Sequence, residues 1–156
     1  HPTGLIGEDP NIKPTNLFPV IQHTLKRKTK KLQIFGNDWP TKDGTCVRDY
    51  VHVVDLAEAH VAAHEFINNN KNNYISLNIG TGRGTTVLEL LKEFNKVNNL
   101  NLGYEFLPRR KGDTAYVVAD NKLAIKLLNW RPKKTLGDMC RDSYKWTLSQ
   151  NEKNNQ

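Results

Sequence analysis

Segments with the two-residue repeat of a strand alternate along this chain with segments that carry the longer repeat of an amphipathic helix. This alternation constrains the fold more than any other feature, because it is typical of proteins in which helices cover a sheet. At 156 residues the chain has the usual length of one domain and can enclose an apolar core. We therefore predict a single α/β unit.

The helices are predicted from apolar spacing and from residues that favour helix starts. Asn16 and Asp55 are good N-cap residues, and Thr86 and Glu89 have the spacing of a capping box. The predicted helices run from Asn16 to about Lys26, from Asp55 to about Phe66, from Thr86 to about Phe94, from Asn121 to Leu128 and from Leu136 to Leu148.

Strands are predicted where β-branched and aromatic residues alternate between turn residues. The Asn- and Lys-rich stretch from Asn68 to Asn73 is expected to be a surface loop, and Trp130 and Trp146 are expected to pack in the core. The predicted strands are Leu32 to Phe35, Cys46 to Val54 (a strand or an extended segment), Tyr74 to Ile79 and Leu102 to Leu107.

The formal net charge of +7 raises the question of a nucleic-acid partner, because Lys and Arg neutralise phosphates. The densest source of this charge is the stretch from Lys26 to Lys31, which lacks interleaved aromatic residues. It lies where a predicted helix ends, and cations at that position complement the helix dipole. We interpret the stretch as a solvated helix terminus and predict no nucleic-acid partner.

The remaining composition bears on where the protein works. No run of about 18 apolar residues occurs, so we predict no membrane span. The two cysteines, Cys46 and Cys140, are far apart in sequence, which suits a reducing compartment better than a disulfide framework. The chain also begins with His1 instead of Met, in a loop-like segment. We expect a cytoplasmic protein whose natural chain is longer.

Gly80-Thr81-Gly82-Arg83-Gly84 lies between a predicted strand and a predicted helix, which is the position of a dinucleotide-binding loop. Its spacing differs from G-x-G-x-x-G, and no acidic residue stands about 20 positions further on. We expect a tight turn that lets the helix approach the sheet, and we assign no cofactor-binding residue to it.

His60 and His64 are four residues apart on a predicted helix and could face one metal ion. No third ligand follows with suitable spacing, and the Glu of an H-E-x-x-H site is absent. We interpret both as partly exposed helix residues and predict no metal site.

The strongest local signal for binding comes from two basic sites, Arg48 in Val47-Arg48-Asp49-Tyr50 and the loop Arg109-Arg110-Lys111-Gly112-Asp113. Arginine forms bidentate hydrogen bonds with phosphate, so two converging guanidinium groups can hold a diphosphate. Asp113 can accept a hydrogen bond from a ribose hydroxyl. On physical grounds alone, a nucleotide site and a surface loop with ordinary ion pairs are equally supported.

Three stretches of the chain are recognisable: His1 to Pro10 followed by Asn16-Leu17, the long run from Phe35 to Val53, and Pro108-Arg109-Arg110-Lys111-Gly112-Asp113. Together they resemble the UDP-glucose 4-epimerase family of extended short-chain dehydrogenases. The likeness covers nearly the whole chain and matches the C-terminal half of that family. It implies an α/β substrate-binding part whose elements complete a Rossmann-like parallel sheet.

The resemblance also implies a role for each position that matches the family's motifs. Anions bind well at a helix N-terminus, which is where the first of these positions would lie. Val117 stands where some relatives have Tyr, and Trp39 stands where Tyr is common. The implied substrate-binding residues are Asn16 and Leu17 for the phosphates, Gln33, Ile34 and Phe35 for uracil, Arg48 and Arg110 for the diphosphate, Asp113 for the ribose, and Val117 for the sugar.

The family's Gly-rich NAD loop and its Tyr-x-x-x-Lys catalytic pair have no counterpart in this sequence. In the family, the Tyr removes the proton of the sugar 4-hydroxyl while NAD takes the hydride, and the keto-sugar rotates before the hydride returns. The resemblance thus implies that residues 1–156 are the nucleotide-sugar-binding portion of a longer NAD-dependent isomerase that forms a homodimer. It implies no catalytic residue here, so we expect these residues to be inactive alone.

Two alternatives remain open at this point. A nucleotide-sugar dehydratase or decarboxylase of the same superfamily would share the basic motifs, and residues around its catalytic Tyr would distinguish it. A non-catalytic nucleotide-sugar-binding module would require that these residues be the whole protein.

Overall fold

The computed structural model of this chain describes residues 1–9, 14–26, 31–70 and 74–153, with side chains to residue 150. None of the helices in these ranges is long and apolar enough to cross a membrane. The helices are α1 (Leu17–Lys26), α2 (Val53–Asn69), α3 (Val87–Asn98), α4 (Lys122–Leu128) and α5 (Leu136–Lys153). The strands are β1 (Leu32–Phe35), β2 (Val47–Arg48), β3 (Thr85–Thr86), β4 (Tyr104–Leu107) and β5 (Tyr116–Val117).

The strands form two small sheets. β1 pairs in parallel with β4, in a register that places Leu32 opposite Tyr104 and Phe35 opposite Leu107. β2 is the middle strand of the second sheet, antiparallel to β3 and parallel to β5. Parallel strands need long connections, and here these connections contain helices. The predicted α/β class is confirmed.

The core consists of two apolar clusters. In α3, Leu90, Leu91 and Phe94 are at most 2% exposed, because residues three and four apart share one side of a helix. Burying one such side chain stabilises the fold by roughly 1.5–3 kcal/mol. The larger cluster joins α1, β1, α3 and α5 through Ile21, Leu32, Ile34, Leu88, Leu90, Leu91, Phe94 and Cys140. The smaller one joins α2 and α4 through Ala59, Ala124, Leu128 and Trp130.

The start of α3 confirms the predicted capping box. Thr86 Oγ1 accepts a hydrogen bond from the Glu89 backbone N–H at 3.1 Å, and Glu89 Oε2 accepts one from the Thr86 backbone N–H at 2.9 Å. The Thr86 hydroxyl also donates to Asp43 at 2.5 Å. The helix start is therefore tied to the loop that precedes β2.

The start of α2 differs from the prediction. Its N-cap is His52 instead of Asp55: the ring nitrogen Nδ1 of His52 accepts a hydrogen bond from the Val54 backbone N–H at 3.0 Å. An unprotonated ring nitrogen is an acceptor and can replace the usual capping oxygen. Asp55 lies in the first turn, almost fully buried, and accepts from the Lys134 backbone N–H at 2.9 Å.

Other boundaries differ by a few residues. α2 continues to Asn69, so the predicted loop from Asn68 to Asn73 begins inside a helix, and residues 71–73 of that loop lie outside the described residues. β4 begins at Tyr104 instead of Leu102. Elements α1, β1 and α4 lie where the sequence predicts them, within one residue at either end.

Two predicted strands are not formed over their predicted lengths. The segment from Cys46 to Val54, predicted as a strand or an extended segment, is a strand at Val47–Arg48 and belongs to no helix before α2 begins at Val53. The segment from Tyr74 to Ile79 has no strand in the described structure. Strand formation depends on a neighbouring chain that supplies hydrogen bonds, and the alternation of residues in one segment does not reveal that neighbour.

The two tryptophans differ in their burial. Trp130 is 5% exposed and belongs to the smaller core cluster, as predicted. Trp146 is only half-buried: its ring covers Gly7, and its Nε1 donates to the Glu8 carbonyl at 3.2 Å. Its indole therefore fastens the N-terminal segment to α5 instead of filling the core.

Candidate functional site

A cavity of about 1420 Å³ lies between the first turns of α1, the strands β1 and β2, and the loop after β4. Most small-molecule pockets enclose roughly 300–1,000 Å³, so this one has room for an extended ligand. We call it the basic cavity because its wall contains more Lys and Arg residues (Lys31, Arg48, Arg110 and Lys111) than carboxylates (Glu8, Glu105 and Asp113).

The basic cavity brings together the site residues that the sequence predicts, except one. Val117 is not in its wall; it lies in β5, directly opposite Arg48, and is 53% exposed. The wall residues come from segments far apart in sequence, so the fold creates the site. The predicted residues in the wall are Asn16, Leu17, Gln33, Ile34, Phe35, Arg48, Arg110 and Asp113.

Arg110 is held on two sides in this wall. Its Nε and Nη2 donate to the two carboxylate oxygens of Asp113 at 3.0 and 3.3 Å, in the fork geometry that also fits phosphate. Its Cζ lies 4.6 Å from the centre of the Phe35 ring. Gly112 has a φ of 91° in the turn between Arg110 and Asp113, a conformation that favours glycine.

Arg48 approaches the same carboxylate from β2. Its Nη1 donates to the carbonyls of Val47 and Thr114 at 2.8 and 2.9 Å. Its Nη2 lies 4.0 Å from Asp113 Oδ1, beyond hydrogen-bonding distance. Two positive groups therefore share one negative group, and the resulting positive potential favours a further anion.

The N-terminus of α1 adds backbone donors to the same wall. The Val20 N–H donates to the Asn16 carbonyl at 3.0 Å, and the N–H groups before it have no partner within the helix. Pro19 lies in this first turn, where its missing N–H costs little. The first turn of α1 contains no acidic side chain. A helix start of this kind attracts anions.

Phe18 and Tyr50 form an apolar part of the wall that sequence analysis did not single out. Their rings meet edge to face, with centroids 6.0 Å apart. Burial raises the pKa of Tyr50 to about 12, and the charge of Arg48 opposes this only in part. The hydroxyl of Tyr50 is therefore protonated at neutral pH. The two residues are distant in sequence, and no local pattern indicates their contact.

Arg109 fastens the loop after β4 from outside the cavity. Its Cζ lies 3.9 Å from the centre of the Trp39 ring, and its Nε donates to Asp38 Oδ1 at 2.7 Å. The hydrogen bond from Arg109 lowers the pKa of Asp38 below its ordinary value. Arg109 thus joins the loops that follow β1 and β4, while the next residue, Arg110, lies in the cavity wall.

The glycine-rich segment forms a tight turn, as predicted. The backbone N–H groups of Thr81 and Gly82 donate to the carboxylate of Asp49, each at 2.9 Å. A Cβ on Gly84 would lie 2.5 Å from a methyl carbon of Val47, so glycine permits close packing on β2. N–H groups that could hold a cofactor phosphate are therefore directed at an internal carboxylate.

The basic stretch that ends α1 is described only in part, because residues 27–30 lie outside the described residues. Lys31 is exposed and also lies in the wall of the basic cavity. Its exposure agrees with the predicted solvated position, and its place in the wall adds one positive charge to the cavity.

His60 and His64 each bond within α2. Nδ1 of His60 donates to the Leu56 carbonyl at 2.8 Å, and the Asn68 amide donates to Nε2 of His64 at 3.0 Å. Within the ranges that the structure describes, no group of three or more His, Cys, Asp or Glu residues is placed to hold a metal ion.

Comparison with known proteins finds relatives over nearly the whole chain. The family model described as GDP-mannose 4,6 dehydratase matches residues 7–143. The UDP-glucose 4-epimerase of Bacillus subtilis (strain 168) is 49% identical over 149 residues, which are 96% of this chain and 44% of that protein.

Solved structures agree with this result. The UDP-glucose 4-epimerase of Stenotrophomonas maltophila, with bound NAD and formylated UDP-arabinopyranose, has a TM-score of 0.93 and 42% identity, over 98% of this chain and 45% of its own. The enzyme of Bifidobacterium longum, in complex with NAD+ and UDP, has a TM-score of 0.89 and 42% identity, over 96% and 44%. The chain therefore spans less than half the length of these relatives.

Proposed function

This chain belongs to the GDP-mannose 4,6 dehydratase family of extended short-chain dehydrogenases, and because its relatives include UDP-glucose 4-epimerases, we propose that the whole protein interconverts UDP-glucose and UDP-galactose. In this proposal the basic cavity binds the UDP group. The observation that carries it is the arrangement of Arg48 and Arg110 around Asp113 in the wall of one cavity.

The donors in the cavity suit a diphosphate. Nη2 of Arg48 lies beyond hydrogen-bonding distance of Asp113, so it can donate to a phosphate oxygen without giving up a hydrogen bond to that carboxylate. Arg110 is already oriented by Asp113 and Phe35 and presents a planar fork. The first N–H groups of α1 can serve the second phosphate. Asp113 keeps acceptor capacity for a ribose hydroxyl, because a carboxylate has about four lone-pair sites.

The open edge of β1 suits the uracil. Among the described strands β1 pairs with β4 alone, so the N–H and C=O groups along its other edge have no ladder partner. A uracil ring presents both donors and acceptors along one side, and an unpaired strand edge presents the same alternation. Phe35 ends this strand with its ring beside Arg110, so base and phosphate contacts would be adjacent.

The proposed reaction needs a hydride acceptor, and NAD supplies that chemistry when bound. The glycine-rich turn of this chain does not fit its pyrophosphate, because the N–H groups of Thr81 and Gly82 already donate to Asp49. We therefore assign the NAD contacts to parts of the protein beyond residues 1–156. The contribution of this chain is to bind and orient the nucleotide.

The proposal is tested by turnover of the full-length protein. Purified protein incubated with UDP-galactose and NAD should form UDP-glucose, separated and measured by ion-exchange chromatography. Arg48→Lys should lower this turnover at subsaturating substrate, because the lost fork weakens binding. Absence of UDP-glucose after incubation with folded full-length protein would contradict the proposal.

A second candidate follows from the description of the matching family, a 4,6-dehydratase. Such an enzyme would eliminate water and convert the nucleotide sugar to a 4-keto-6-deoxy product. The same incubation distinguishes the two, because epimerisation leaves the substrate mass unchanged and dehydration lowers it by one water. Mass spectrometry of the product therefore decides between them.

A further inference from the structure

Asp49 is the residue that fastens the end of β2, and all its hydrogen bonds come from other segments. Oδ1 accepts from the Thr81 backbone N–H at 2.9 Å and also from the Thr81 hydroxyl. Oδ2 accepts from the backbone N–H groups of Gly82 at 2.9 Å and Ala119 at 3.3 Å. One carboxylate thus joins the end of β2 to the turn before β3 and to the chain that follows β5.

The turn is shaped to hold this carboxylate. A Cβ on Gly80 would lie 2.6 Å from Asp49 Oδ2, and Gly82 has a φ of 71°. The Asn121 side chain donates to the Gly80 carbonyl at 2.8 Å and fixes the turn from the other side. Successive N–H groups in such a turn form a concave anion site, and here the anion is supplied by the protein.

Asp49 directly follows Arg48, which lies in the cavity wall. In an extended segment, successive side chains point to opposite sides, so the side chains of Arg48 and Asp49 point to opposite sides of the chain at the end of β2. Arg48 itself is paired in register with Thr85 of β3 and Val117 of β5. The hydrogen bonds of Asp49 hold both neighbouring segments just beyond these pairs. Movement of β2 relative to either neighbour would move the Arg48 guanidinium.

We propose that Asp49 is a positioning residue: it holds the Arg48 guanidinium at the diphosphate position of the basic cavity without contacting the ligand. This inference rests on the proposed function, since it takes UDP as the ligand. The G-x-G-x-G turn then has a role: its N–H groups bind the carboxylate of Asp49, and Asp49 positions Arg48. A carboxylate suits this position because all four of these hydrogen bonds are donated to Asp49, two to each of its oxygens.

The test is a double-mutant cycle in the full-length protein, with UDP affinity measured by isothermal titration calorimetry. Asp49→Asn turns a donor toward backbone N–H groups, so the affinity for UDP should fall by roughly five- to tenfold. In the Arg48→Lys background the same change should lower affinity by less than about twofold, because the group that Asp49 positions has already lost its fork. Turnover should show a raised KM with kcat within about twofold.

Asp43→Asn is the matched control. Asp43 accepts from the Thr45 backbone N–H and hydroxyl at 3.0 and 2.7 Å and from the Thr86 hydroxyl, but it is not in the cavity wall. The Asp43→Asn substitution should lower the melting temperature and leave UDP affinity within about twofold of wild type. If Asp49→Asn does not fold, Thr81→Val removes one donor to Asp49 and should lower affinity by roughly two- to threefold.

The outcomes separate the two proposals. Equal losses from Asp49→Asn in both backgrounds, or no loss where Arg48→Lys does weaken binding, would overturn the positioning role and leave the proposed function standing. Full-length protein that does not bind UDP, or that binds it unchanged after Arg48→Lys, would overturn the proposed function and the positioning role together.

Discussion

The guanidinium of Arg110 donates to both carboxylate oxygens of Asp113, at 3.0 and 3.3 Å, and both residues lie in the wall of one cavity. This pair fixes the plane of the guanidinium before any ligand binds. Rigid donors lose less conformational entropy on binding than mobile ones. The cavity is therefore preorganised for a planar, bidentate contact with an anion.

The first prediction concerns the geometry of the two cavity arginines in the full-length protein. Replacing Arg48 or Arg110 with Lys keeps the charge but removes the fork. A charge-assisted hydrogen bond contributes on the order of 1.5–3 kcal/mol, so UDP affinity should fall by roughly ten- to a hundredfold. Isothermal titration calorimetry measures this directly.

The control for that series is Lys92→Gln. Lys92 is an exposed cation on α3 outside the cavity wall, whereas Lys31 lies in the wall and is unsuitable. An exposed charge contributes little, so affinity should change by less than about twofold. Equal losses for the Lys92 and Arg48 variants would indicate diffuse electrostatics instead of a clamp.

The second prediction concerns the outer anchor of the loop after β4. Arg109→Ala removes the contact with Trp39 and the hydrogen bond to Asp38. The pKa of Asp38, which that hydrogen bond lowers, should rise toward its ordinary value in an NMR titration. UDP affinity should also fall, by roughly two- to fivefold, because the loop that carries Arg110 loses an anchor.

Lys133→Ala is the control for the anchor, since Lys133 makes an exposed ion pair with Glu58 on another part of the surface. It should leave UDP affinity unchanged. A normal affinity after Arg109→Ala would show that the loop holds its shape through Arg110 and Asp113 alone.

The third prediction uses the cap at the start of α5. The Thr135 backbone N–H donates to Asp138 Oδ2 at 2.8 Å, and the Asp138 N–H donates to Thr135 Oγ1 at 3.1 Å. Hydrogen bonds from the Thr135 hydroxyl and backbone, aided by Arg141, lower the pKa of Asp138 from 3.8 to about 2. The carboxylate is therefore more stable in the folded state than in the unfolded one.

The sign of the pH effect follows from that shift. A lowered folded pKa gives stability that is fully present above the unfolded pKa, near 3.8, and is lost as the pH falls toward about 2. Asp138→Asn should lower the free energy of unfolding by roughly 1 kcal/mol at neutral pH, as for other lost caps. Urea denaturation should show this difference shrinking below about pH 4; a constant difference would contradict it.

The sequence predicts those parts of the fold that depend on neighbouring residues. The capping box of Thr86 and Glu89 lies within one helical turn, so its spacing alone reveals it. The sequence does not predict the N-cap of α2, because His52 caps through a ring nitrogen whereas Asp55 has the more usual capping chemistry. The prediction of a strand from Tyr74 to Ile79 is wrong, because strand formation needs a partner elsewhere in the chain.

In the candidate site, too, features that depend on neighbouring residues are predictable and those that depend on distant segments are not. The motifs around Arg48 and Arg110 identify anion-binding residue types, and Arg110 lies only three residues from Asp113 in the same loop. Only the fold brings Arg48 to that carboxylate. The role of Asp49 was not predictable, because its donors lie at Thr81, Gly82 and Ala119, far along the sequence. Long-range hydrogen bonds of this kind leave no local pattern.

A crystal structure of the full-length protein with UDP tests the central claim most directly. The claim is that the basic cavity holds the UDP group between Arg48 and Arg110. We predict diphosphate oxygens at about 2.7–2.9 Å from guanidinium nitrogens of both residues, the distance of charge-assisted hydrogen bonds. We also predict that the uracil lies along the open edge of β1. UDP bound elsewhere, with both guanidinium groups still engaged only with Asp113 and backbone carbonyls, would contradict the claim.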